Sequence, residues 1–333
     1  MNCKYLLLAA VAAWVPLCNS TRVLASTLPV LGSAEDFAVL GHTTVTNTGS
    51  TVIFGSTSTL ANVGVFNLGT VADASTGFSA SGNTFVGPGT NTDGPGVVSA
   101  PAAVHLGSPA AGLARNDLIV AYAALGSYGT ATNLTGHDLG TSGTLPLGTL
   151  APGVYSFATT AQLNGALKLD AGGLDGGVWI FEIGTTLTTA SASAVQLINP
   201  GGKLGSDVGV FWLVGSSATL GTTTAFEGNI LAQTSITLDT GATLYNGRAL
   251  AENGAVTLDS NIISDICPPA SFAPNSGPGF SGGVGFDSIS GKLVPVEQVT
   301  VPEPATSALA AGGAAVFLAR RIRRRPQTQR ICI

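Results

Sequence analysis

The sequence predicts an all-β fold with one long α-helix, in which short strands stack as the three-sided rungs of a β-solenoid. The first observation is a run of near-repeats between Gly184 and Ile263, rich in Thr, Ser, Ala and Gly. Such self-similarity is typical of one supersecondary unit stacked on the next. The second is the alternation of apolar and hydroxyl residues within each repeat, which indicates a strand buried on one face. The third is a single segment of helical periodicity near residues 109–125.

The near-repeats can be aligned on leucines. Four copies read GTTLTTASAS (184–193), GSSATLGTTTAF (215–226), TSITLDTGATL (234–244) and GAVTLDSNII (254–263), and a weaker copy reads GALKLDAGG (165–173). The aligned leucines are Leu169, Leu187, Leu220, Leu238 and Leu258. Three gaps are 18, 18 and 20 residues long, whereas the gap from Leu187 to Leu220 is longer. We expect that gap to hold an insertion or a full extra strand.

Apolar segments alternate with the threonine-rich ones. GVYSF (153–157), GVWIFEIG (177–184) and GVFWLVG (209–215) are typical of buried strands, and the last two run directly into a repeat. An earlier segment, FAVLGHTTVTNTG (37–49), places Thr44 and Thr46 on the face opposite Val45. The alternation predicts a rung made of one apolar, one threonine-rich and one mixed strand.

The helix is predicted from its ends and from one apolar stripe. Ser108 is a suitable N-cap, Pro109 suits the first turn, and Gly126 suits the C-terminal end. The residues expected on the stripe are Leu113, Leu118, Ile119, Tyr122 and Leu125. We expect the helix to lie along the solenoid and to cover one of its faces.

The N-terminal segment, residues 1–25, has the features of a secretory signal. Lys4 precedes an apolar run from Tyr5 to Leu17, and small residues lead to a cleavage site after Ala25. A membrane anchor is the alternative, but the apolar run is too short to span a bilayer. Signal peptidase is therefore an expected partner during export.

The C-terminal segment, residues 301–333, has three parts: Val-Pro-Glu-Pro with Pro302, Glu303 and Pro304, an apolar stretch over 305–319, and an arginine cluster. The cluster consists of Arg320, Arg321, Arg323, Arg324 and Arg325. Basic residues beside an apolar span stay on the cytoplasmic side. This order resembles the PEP-CTERM sorting signal of exported bacterial proteins.

The resemblance implies an exosortase as partner, removal of the tail, only transient membrane contact, and a final location at the cell surface or in the matrix. The alternative is a plain C-terminal anchor, although about 15 residues is shorter than the ~20 that a stable span needs. Residues 266–300, rich in Pro, Gly and Ser, are predicted to be a flexible linker.

The body of the chain, residues 26–265, is poor in charge. Between Ser26 and Ile263 the basic residues are Arg115, Lys168, Lys203 and Arg248. Nucleic acid is therefore excluded as an expected partner, because phosphate binding needs clustered basic residues. Of the four cysteines, only Cys267 remains if both ends are removed, so no internal disulfide is predicted.

No enzyme, cofactor or metal site is predicted. His42, His105 and His137 lack metal-ligand spacing. Asp170, Asp239 and Asp259 each follow an aligned leucine, and we expect turn-forming roles at equivalent rung corners.

A polysaccharide lyase is the weaker alternative on a solenoid scaffold. A lyase needs clustered acids with a basic residue. Lys168, Lys203 and Arg248 lie far apart in the sequence.

Segments across residues 31–263 are similar to the ice-binding protein family DUF3494: FAVLGHTTVTNTG, LAPGVYSF, AQLNGALKLDA, WIFEIGTTLTTASAS, VFWLVGSSATLG, FEGNILAQTSITLDTGATLYNGRALA and NGAVTLDSNII. The resemblance implies a right-handed, discontinuous parallel β-solenoid of triangular cross-section with a helix alongside. It also implies binding to ice. Many members have a cysteine where this chain has Val208, so the family's disulfide is not expected here.

Two sets of outward hydroxyl residues are candidate ice-binding sites. The preferred set is Thr188, Ser217, Thr219, Ser235, Thr237 and Thr257, and the alternative set is Thr222, Thr240 and Thr243. Threonine suits adsorption because its methyl and hydroxyl groups meet different parts of a water lattice and its χ1 is stiff. The alternative function is a structural or adhesive protein of the cell surface or biofilm matrix, because threonine also favours strands for structural reasons alone.

Overall fold

The computed structural model describes residues 27–54, 62–66, 71–73, 79–80, 84–86, 104–106, 109–142, 147–201, 207–265, 280–288 and 290–296. The predicted signal peptide and sorting tail lie outside the described residues, as do Lys203, Cys267 and Ser108.

The described residues form one α-helix, one 3₁₀ helix and 28 short strands. The first group comprises β1 (Thr27–Pro29), η1 (Gly32–Asp36), β2 (Phe37–Gly41), β3 (Val45–Thr48), β4 (Val52–Phe54), β5 (Asn62–Val65), β6 (Val71–Asp73), β7 (Ser79–Ala80), β8 (Thr84–Val86), β9 (Val104–Leu106) and α1 (Ala110–Leu125). The second group comprises β10 (Thr132–Asn133), β11 (Thr149–Leu150), β12 (Gly153–Phe157), β13 (Ala161–Leu163), β14 (Ala166–Asp170), β15 (Val178–Ile183), β16 (Leu187–Thr189), β17 (Ala194–Ile198) and β18 (Gly209–Val214). The last group comprises β19 (Ala218–Leu220), β20 (Ala225–Glu227), β21 (Asn229–Ala232), β22 (Ile236–Leu238), β23 (Thr243–Tyr245), β24 (Ala249–Ala251), β25 (Val256–Asp259), β26 (Ile262–Ser264), β27 (Val284–Asp287) and β28 (Leu293–Pro295).

Three parallel sheets form the three sides of a triangular solenoid. The helix-side sheet has the order β10-β12-β15-β18-β21-β24-β2-β5-β8-β9. The threonine sheet has the order β13-β16-β19-β22-β25-β3-β6, and the mixed sheet has the order β11-β14-β17-β20-β23-β26-β4-β7. Each turn of the chain passes through the helix-side, threonine and mixed sheets in that order, so the predicted three-sided rung is confirmed.

The solenoid is discontinuous. The rung formed by β24, β25 and β26 pairs with β2, β3 and β4, which come from the start of the chain. The N-terminal rungs therefore stack on the last C-terminal rung, as the family resemblance implies. Residues more than 200 positions apart in sequence become neighbours on every side of the triangle.

The registers correct the alignment of the leucines. Leu220, Leu238 and Leu258 are in register, but Leu187 pairs with Ala218, and Leu169 lies on the mixed sheet opposite Leu197. Rungs differ in length, so a fixed period cannot align them all. The long gap includes the connection between β17 and β18, residues 199–208. Its described residues, 199–201 and 207–208, form no extra strand.

The interior of the solenoid is apolar and contains stacked aromatic rings. The rings of Phe181 and Trp212 lie parallel, with centroids 3.9 Å apart and an angle of 7° between the planes. Tyr155 and Phe226 extend this stack on either side. Tyr155, Phe181 and Trp212 lie on successive strands of the helix-side sheet, and Phe226 lies on the mixed sheet. The aromatic stack therefore follows the solenoid axis and stabilises the stacking of the central rungs.

Helix α1 covers the helix-side sheet through small residues. The buried residues of the helix are Ala111, Ala114, Leu118, Ala121 and Leu125. The predicted stripe is therefore wrong at Leu113, which is 58% exposed. Ile119 and Tyr122 are only half-buried. Alanines face the sheet because its outward side chains, such as Phe211 and Leu231, already fill the interface.

The N-terminal end of α1 differs slightly from the prediction, whereas its C-terminal end agrees with it. Pro109 itself is the N-cap residue and Gly126 is the C-cap residue. Among the residues that the structure describes, no helix has both the length and the apolar character needed to cross a bilayer.

A small antiparallel sheet, which we call the clasp, joins the two ends of the described chain. It has the order β1-β27-β28, with Thr27 opposite Asp287 and Val284 opposite Pro295. The predicted flexible linker over residues 266–300 is therefore wrong at 280–288 and 290–296, and the rest of that range lies outside the described residues. Phe280 and Val284 are buried, and this apolar content explains why the segment folds onto the solenoid.

A buried polar cluster lies beside the clasp, at the corner where the mixed sheet leads into the helix-side sheet. The Arg248 side chain is 0% exposed, and its Nε donates to the carbonyl of Glu35 at 2.8 Å. Its Nη1 donates to Asn229 Oδ1 at 3.0 Å, and its Nη2 lies 3.8 Å from Asp265 Oδ2. Asn229 in turn donates to the carbonyl of Phe280. The cluster thus ties two rungs to both terminal segments.

We predict that Arg248→Met lowers the free energy of unfolding by about 3–5 kcal/mol, because it leaves the buried Asp265 without its cation. Lys168→Met is the matched control. Lys168 is exposed, so its loss is expected to change stability by no more than about 0.5 kcal/mol. Chemical denaturation measures both. Equal stability of the two variants would show that the cluster does not hold the fold together.

Glu227 interrupts the mixed sheet. Its Oε2 accepts a hydrogen bond from the backbone N–H of Leu197 at 3.0 Å, and in this part of the sheet β17 and β20 pair only at Ala194 and Ala225. Burial raises the pKa of Glu227 to about 7, partly offset by the bond from Leu197. The protonated carboxyl is thus favoured in the folded state.

The pKa of Glu227 is higher in the folded chain than in the unfolded chain, so the neutral carboxyl stabilises the fold. This stabilisation is complete below the ordinary glutamate pKa of 4.5 and is lost as the pH rises through about 7. The effect is on the order of 3 kcal/mol. We predict that Glu227→Gln raises the melting temperature above pH 7.5 relative to the unmodified chain, while at pH 4.5 the two melt alike. A stabilisation of equal size at both pH values would contradict a titrating Glu227.

Candidate functional site

The registers of the threonine sheet align one column of outward side chains, which we call the central column. Thr188 pairs with Thr219, Thr219 with Thr237, and Thr237 with Thr257. Thr257 then pairs with Thr46 on the N-terminal strand β3. Five successive rungs therefore present threonine at the same position, and Gln162 stands at the end next to Thr188.

The central column alternates with inward apolar residues, as its sequence pattern requires. Ala218 and Leu220 flank Thr219 and are buried, and Ile236 and Leu238 flank Thr237 in the same way. The threonines themselves are exposed or half-exposed. The hydroxyl and methyl groups of the column consequently point away from the core.

A second column, the flanking column, lies two residues earlier on each rung. Its members are Thr160, Thr186, Ser217, Ser235, Ala255 and Thr44. Backbone bonds keep them in register: Leu187 donates to the carbonyl of Ser217, and Ala218 donates to that of Ser235. The preferred set predicted from the sequence, including Ser217 and Ser235, is therefore brought together on one face.

Hydrogen bonds between rungs hold several of these hydroxyls in place. The backbone N–H of Ser235 donates to Ser217 Oγ at 3.3 Å, and that of Ala255 donates to Ser235 Oγ at 3.2 Å. Thr46 Oγ1 donates to Thr257 Oγ1 at 3.4 Å. These bonds reduce the rotational freedom of the side chains before any ligand arrives.

The two columns form a regular lattice. Rungs repeat every ~4.8 Å, and outward residues two apart along a strand are ~6.7 Å apart. Within the six described rungs from Thr160 to Thr46, neither column contains a charged residue. The face therefore offers methyl and hydroxyl groups at fixed spacings over a flat area.

Acidic residues mark one edge of this face. Asp239 and Asp259 lie at the corner between the threonine and mixed sheets, where Asp259 accepts a hydrogen bond from the Thr240 hydroxyl. Asp170 does not occupy an equivalent corner, because it ends β14 on the mixed sheet. Asn199 and the backbone of Gly172 donate to Asp170, and these bonds lower its pKa. The carboxylates of Asp170 and Asp259 thus accept hydrogen bonds at the corners that their own strands reach.

The alternative set is not brought together. Thr222 and Thr240 lie in the turns of the same corner as Asp259, whereas Thr243 lies on β23 of the mixed sheet. Thr243 has Ala225 on one side and Ile262 on the other. The outward residues of the mixed sheet also include Lys168, Gln196, Glu227 and Tyr245. That surface is irregular in size and charge.

Groups with possible catalytic chemistry are dispersed in the structure. Arg248 is buried at one corner, Lys168 lies on the mixed sheet, and Arg115 on the helix donates to Asn253 and the carbonyl of Glu252. The His42 ring packs against Phe66. Within the described ranges no three His, Cys, Asp or Glu side chains are grouped to hold a metal ion.

Sequence reasoning missed several members of the two columns: Thr44, Thr46, Thr160, Thr186 and Ala255. The alternation around Val45 was visible in the sequence. What could not be read from it is that β3 stacks on β25, because nothing local marks a contact across 211 positions.

Comparison with known families agrees with this architecture. A family model described as Ice-binding-like matches residues 39–264, and one for the PEP-CTERM protein-sorting motif matches residues 300–325. An ice-binding protein of Nostoc sp. (strain HG1) is 38% identical over 325 residues, which is 98% of this chain and 97% of that protein.

Solved structures give the same result. The crystal structure of an ice-binding protein from an Antarctic biological consortium has a TM-score of 0.51 and 32% identity, and the match covers 72% of this chain and 92% of that one. The DUF3494 domain of Shewanella frigidimarina ice-binding protein 1 has a TM-score of 0.53 and 28% identity, covering 71% and 97%. The chain therefore belongs to the ice-binding-like family, DUF3494, and carries a PEP-CTERM sorting motif.

Proposed function

We propose that this chain is an exported protein that adsorbs to ice through the threonine sheet and inhibits crystal growth or recrystallisation. The observation that carries the proposal is the uninterrupted central column from Thr188 to Thr46, in register over five rungs. Family membership and the names of the relatives support ice as the ligand.

Adsorption to a crystal is a sum of many weak contacts. Each threonine contributes a methyl group that faces apolar-type water cages and a hydroxyl that bonds into them. Its stiff χ1 and the bonds between rungs limit the entropy lost on adsorption. A flat area matters because a single protruding group separates the whole face from the crystal.

The other two sides of the triangle are less suitable. Helix α1 packs on the helix-side sheet and buries its central outward residues, such as Phe211, Leu231 and Leu250. The mixed sheet combines alanine, isoleucine, lysine, glutamate and tyrosine at neighbouring outward positions. The threonine sheet is the side with a repeated, uncharged lattice.

Catalysis is not part of the proposal. A polysaccharide lyase would need its basic residue beside its acids, and the described basic residues lie on different parts of the solenoid. The names of the relatives favour adsorption to ice over a purely structural role in a matrix. Lyase activity that vanished on replacing Lys168 or Lys203 would favour the enzyme instead.

We predict that Thr237→Tyr in the central column reduces thermal hysteresis and recrystallisation inhibition at least severalfold, because the larger ring lifts the face off the crystal. The matched control is Thr243→Tyr, which places the same ring on a half-buried threonine of the mixed sheet. Melting curves establish that both variants fold.

The opposite ranking of the two variants would assign ice binding to the mixed sheet. If both variants keep full activity in a protein that does bind ice, the threonine sheet is not the binding face. If the unmodified chain neither inhibits recrystallisation nor partitions into ice, the proposed function itself is wrong.

The PEP-CTERM motif and the ice-binding relatives indicate export to the extracellular side. We propose that the mature protein begins at Ser26 and lacks the Arg320–Arg325 cluster. Mass spectrometry of extracellular material is expected to find peptides of the solenoid but none spanning residues 320–325. Intact arginine-tail peptides in that material would contradict removal by an exosortase.

A further inference from the structure

Residues 280–283, which lead into the clasp, lie at the one corner of the triangle that does not border the threonine sheet. Ser281 bridges to Gly209, and Val210 donates to the carbonyl of Phe280. Gly282 donates to the carbonyl of Val208. Residues 208–210 lie at the start of β18, where the chain turns from the mixed sheet into the helix-side sheet. In a triangle, that corner lies opposite the third side, which is the threonine sheet.

Close packing fixes the clasp in this position. A Cβ atom on Gly282 would lie 2.8 Å from the carbonyl carbon of Asp207, and Gly283 has a φ of +74°. Val284 is buried with Leu31, Ala34 and Phe37 in the cluster beneath the helix. The buried Arg248 cluster lies at the same corner and bonds to Glu35 and, through Asn229, to Phe280.

Both ends of the described chain leave from the clasp. β28 ends at Pro295, and Val296 donates to the carbonyl of Gly283. The sorting motif begins at residue 300, so its start lies within about 14 Å of Val296 even if the chain between them is fully extended. β1 begins at Thr27, two residues after the predicted cleavage site.

We propose that the corner carrying the clasp is the attachment side of the molecule, and that the protein links the surface that holds its C-terminal end to ice. An attached molecule presents the threonine sheet away from that surface, so it binds ice without first detaching. This inference rests on the proposed function and adds a role for it: adhesion to ice from a fixed position, in place of action only by free molecules.

The inference predicts that a bead can be attached at the clasp, but not at the central column, without loss of ice binding. Val296 is 36% exposed at the clasp, and Thr257 is exposed in the central column. The test uses the full chain with its four cysteines replaced by serine and a single cysteine introduced as Val296→Cys or as Thr257→Cys. Each variant is coupled to maleimide beads at equal density, and the fraction of beads retained on an ice surface is counted.

Beads coupled through Val296→Cys are expected to adhere to ice at least tenfold more than uncoupled beads. Those coupled through Thr257→Cys are expected to adhere no better than uncoupled beads. Equal adhesion by both, or adhesion only through Thr257→Cys, would overturn the assignment of the attachment side. Before coupling, partition of the unmodified chain into ice is measured in solution. If the free chain does not partition into ice, the proposed function is wrong. If the free chain binds ice but the Val296→Cys beads do not adhere, only this inference is contradicted.

Discussion

The structure depends on the backbone hydrogen bonds that stack parallel rungs at a fixed separation. This separation is a property of the peptide backbone and not of any side chain, so every column of outward residues inherits a repeat of ~4.8 Å. The regularity of the threonine sheet follows from this constraint once the same residue type recurs on each rung. Rungs of unequal length are tolerated because strands of the same sheet keep their pairing whatever number of residues connects one strand to the next, as for β15 with β18.

A parallel stack needs protection at its corners and on its apolar outer side. Helix α1 covers the outward apolar residues of the helix-side sheet with alanines, which allows close approach. The Arg248 cluster and residues 280–283, which lead into the clasp, hold the corner opposite the threonine sheet. Stabilising elements are thus placed on the helix-side sheet and at the corner opposite the threonine sheet, and the threonine sheet is left uncovered. That division leaves one flat side available for a large ligand.

Local pattern was enough to predict the rung and the identity of its threonine-rich strand. Thr188, Thr219, Thr237 and Thr257 align as predicted even though Leu187 is offset from the other leucines, because each threonine directly adjoins its own inward residue. The position of Thr46 was not predictable, since its neighbour Thr257 comes from the far end of the domain. The buried face of α1 was also predicted wrongly, because it depends on the surface against which the helix packs. A helix packed on large side chains favours alanine at the contact, and hydropathy alone does not reveal that preference.

The remaining claim is that adsorption sums contacts along one column of one sheet. The most direct measurement is an ice-affinity profile from single tyrosine substitutions placed rung by rung, first along the central column and then along the mixed-sheet column that contains Ala194, Ala225 and Thr243. The account predicts a profile on the threonine sheet with the greatest loss at the middle rungs and the smallest loss at Gln162. It predicts a flat profile near the unmodified value on the mixed sheet. Two profiles of equal depth, or a deeper one on the mixed sheet, would contradict it.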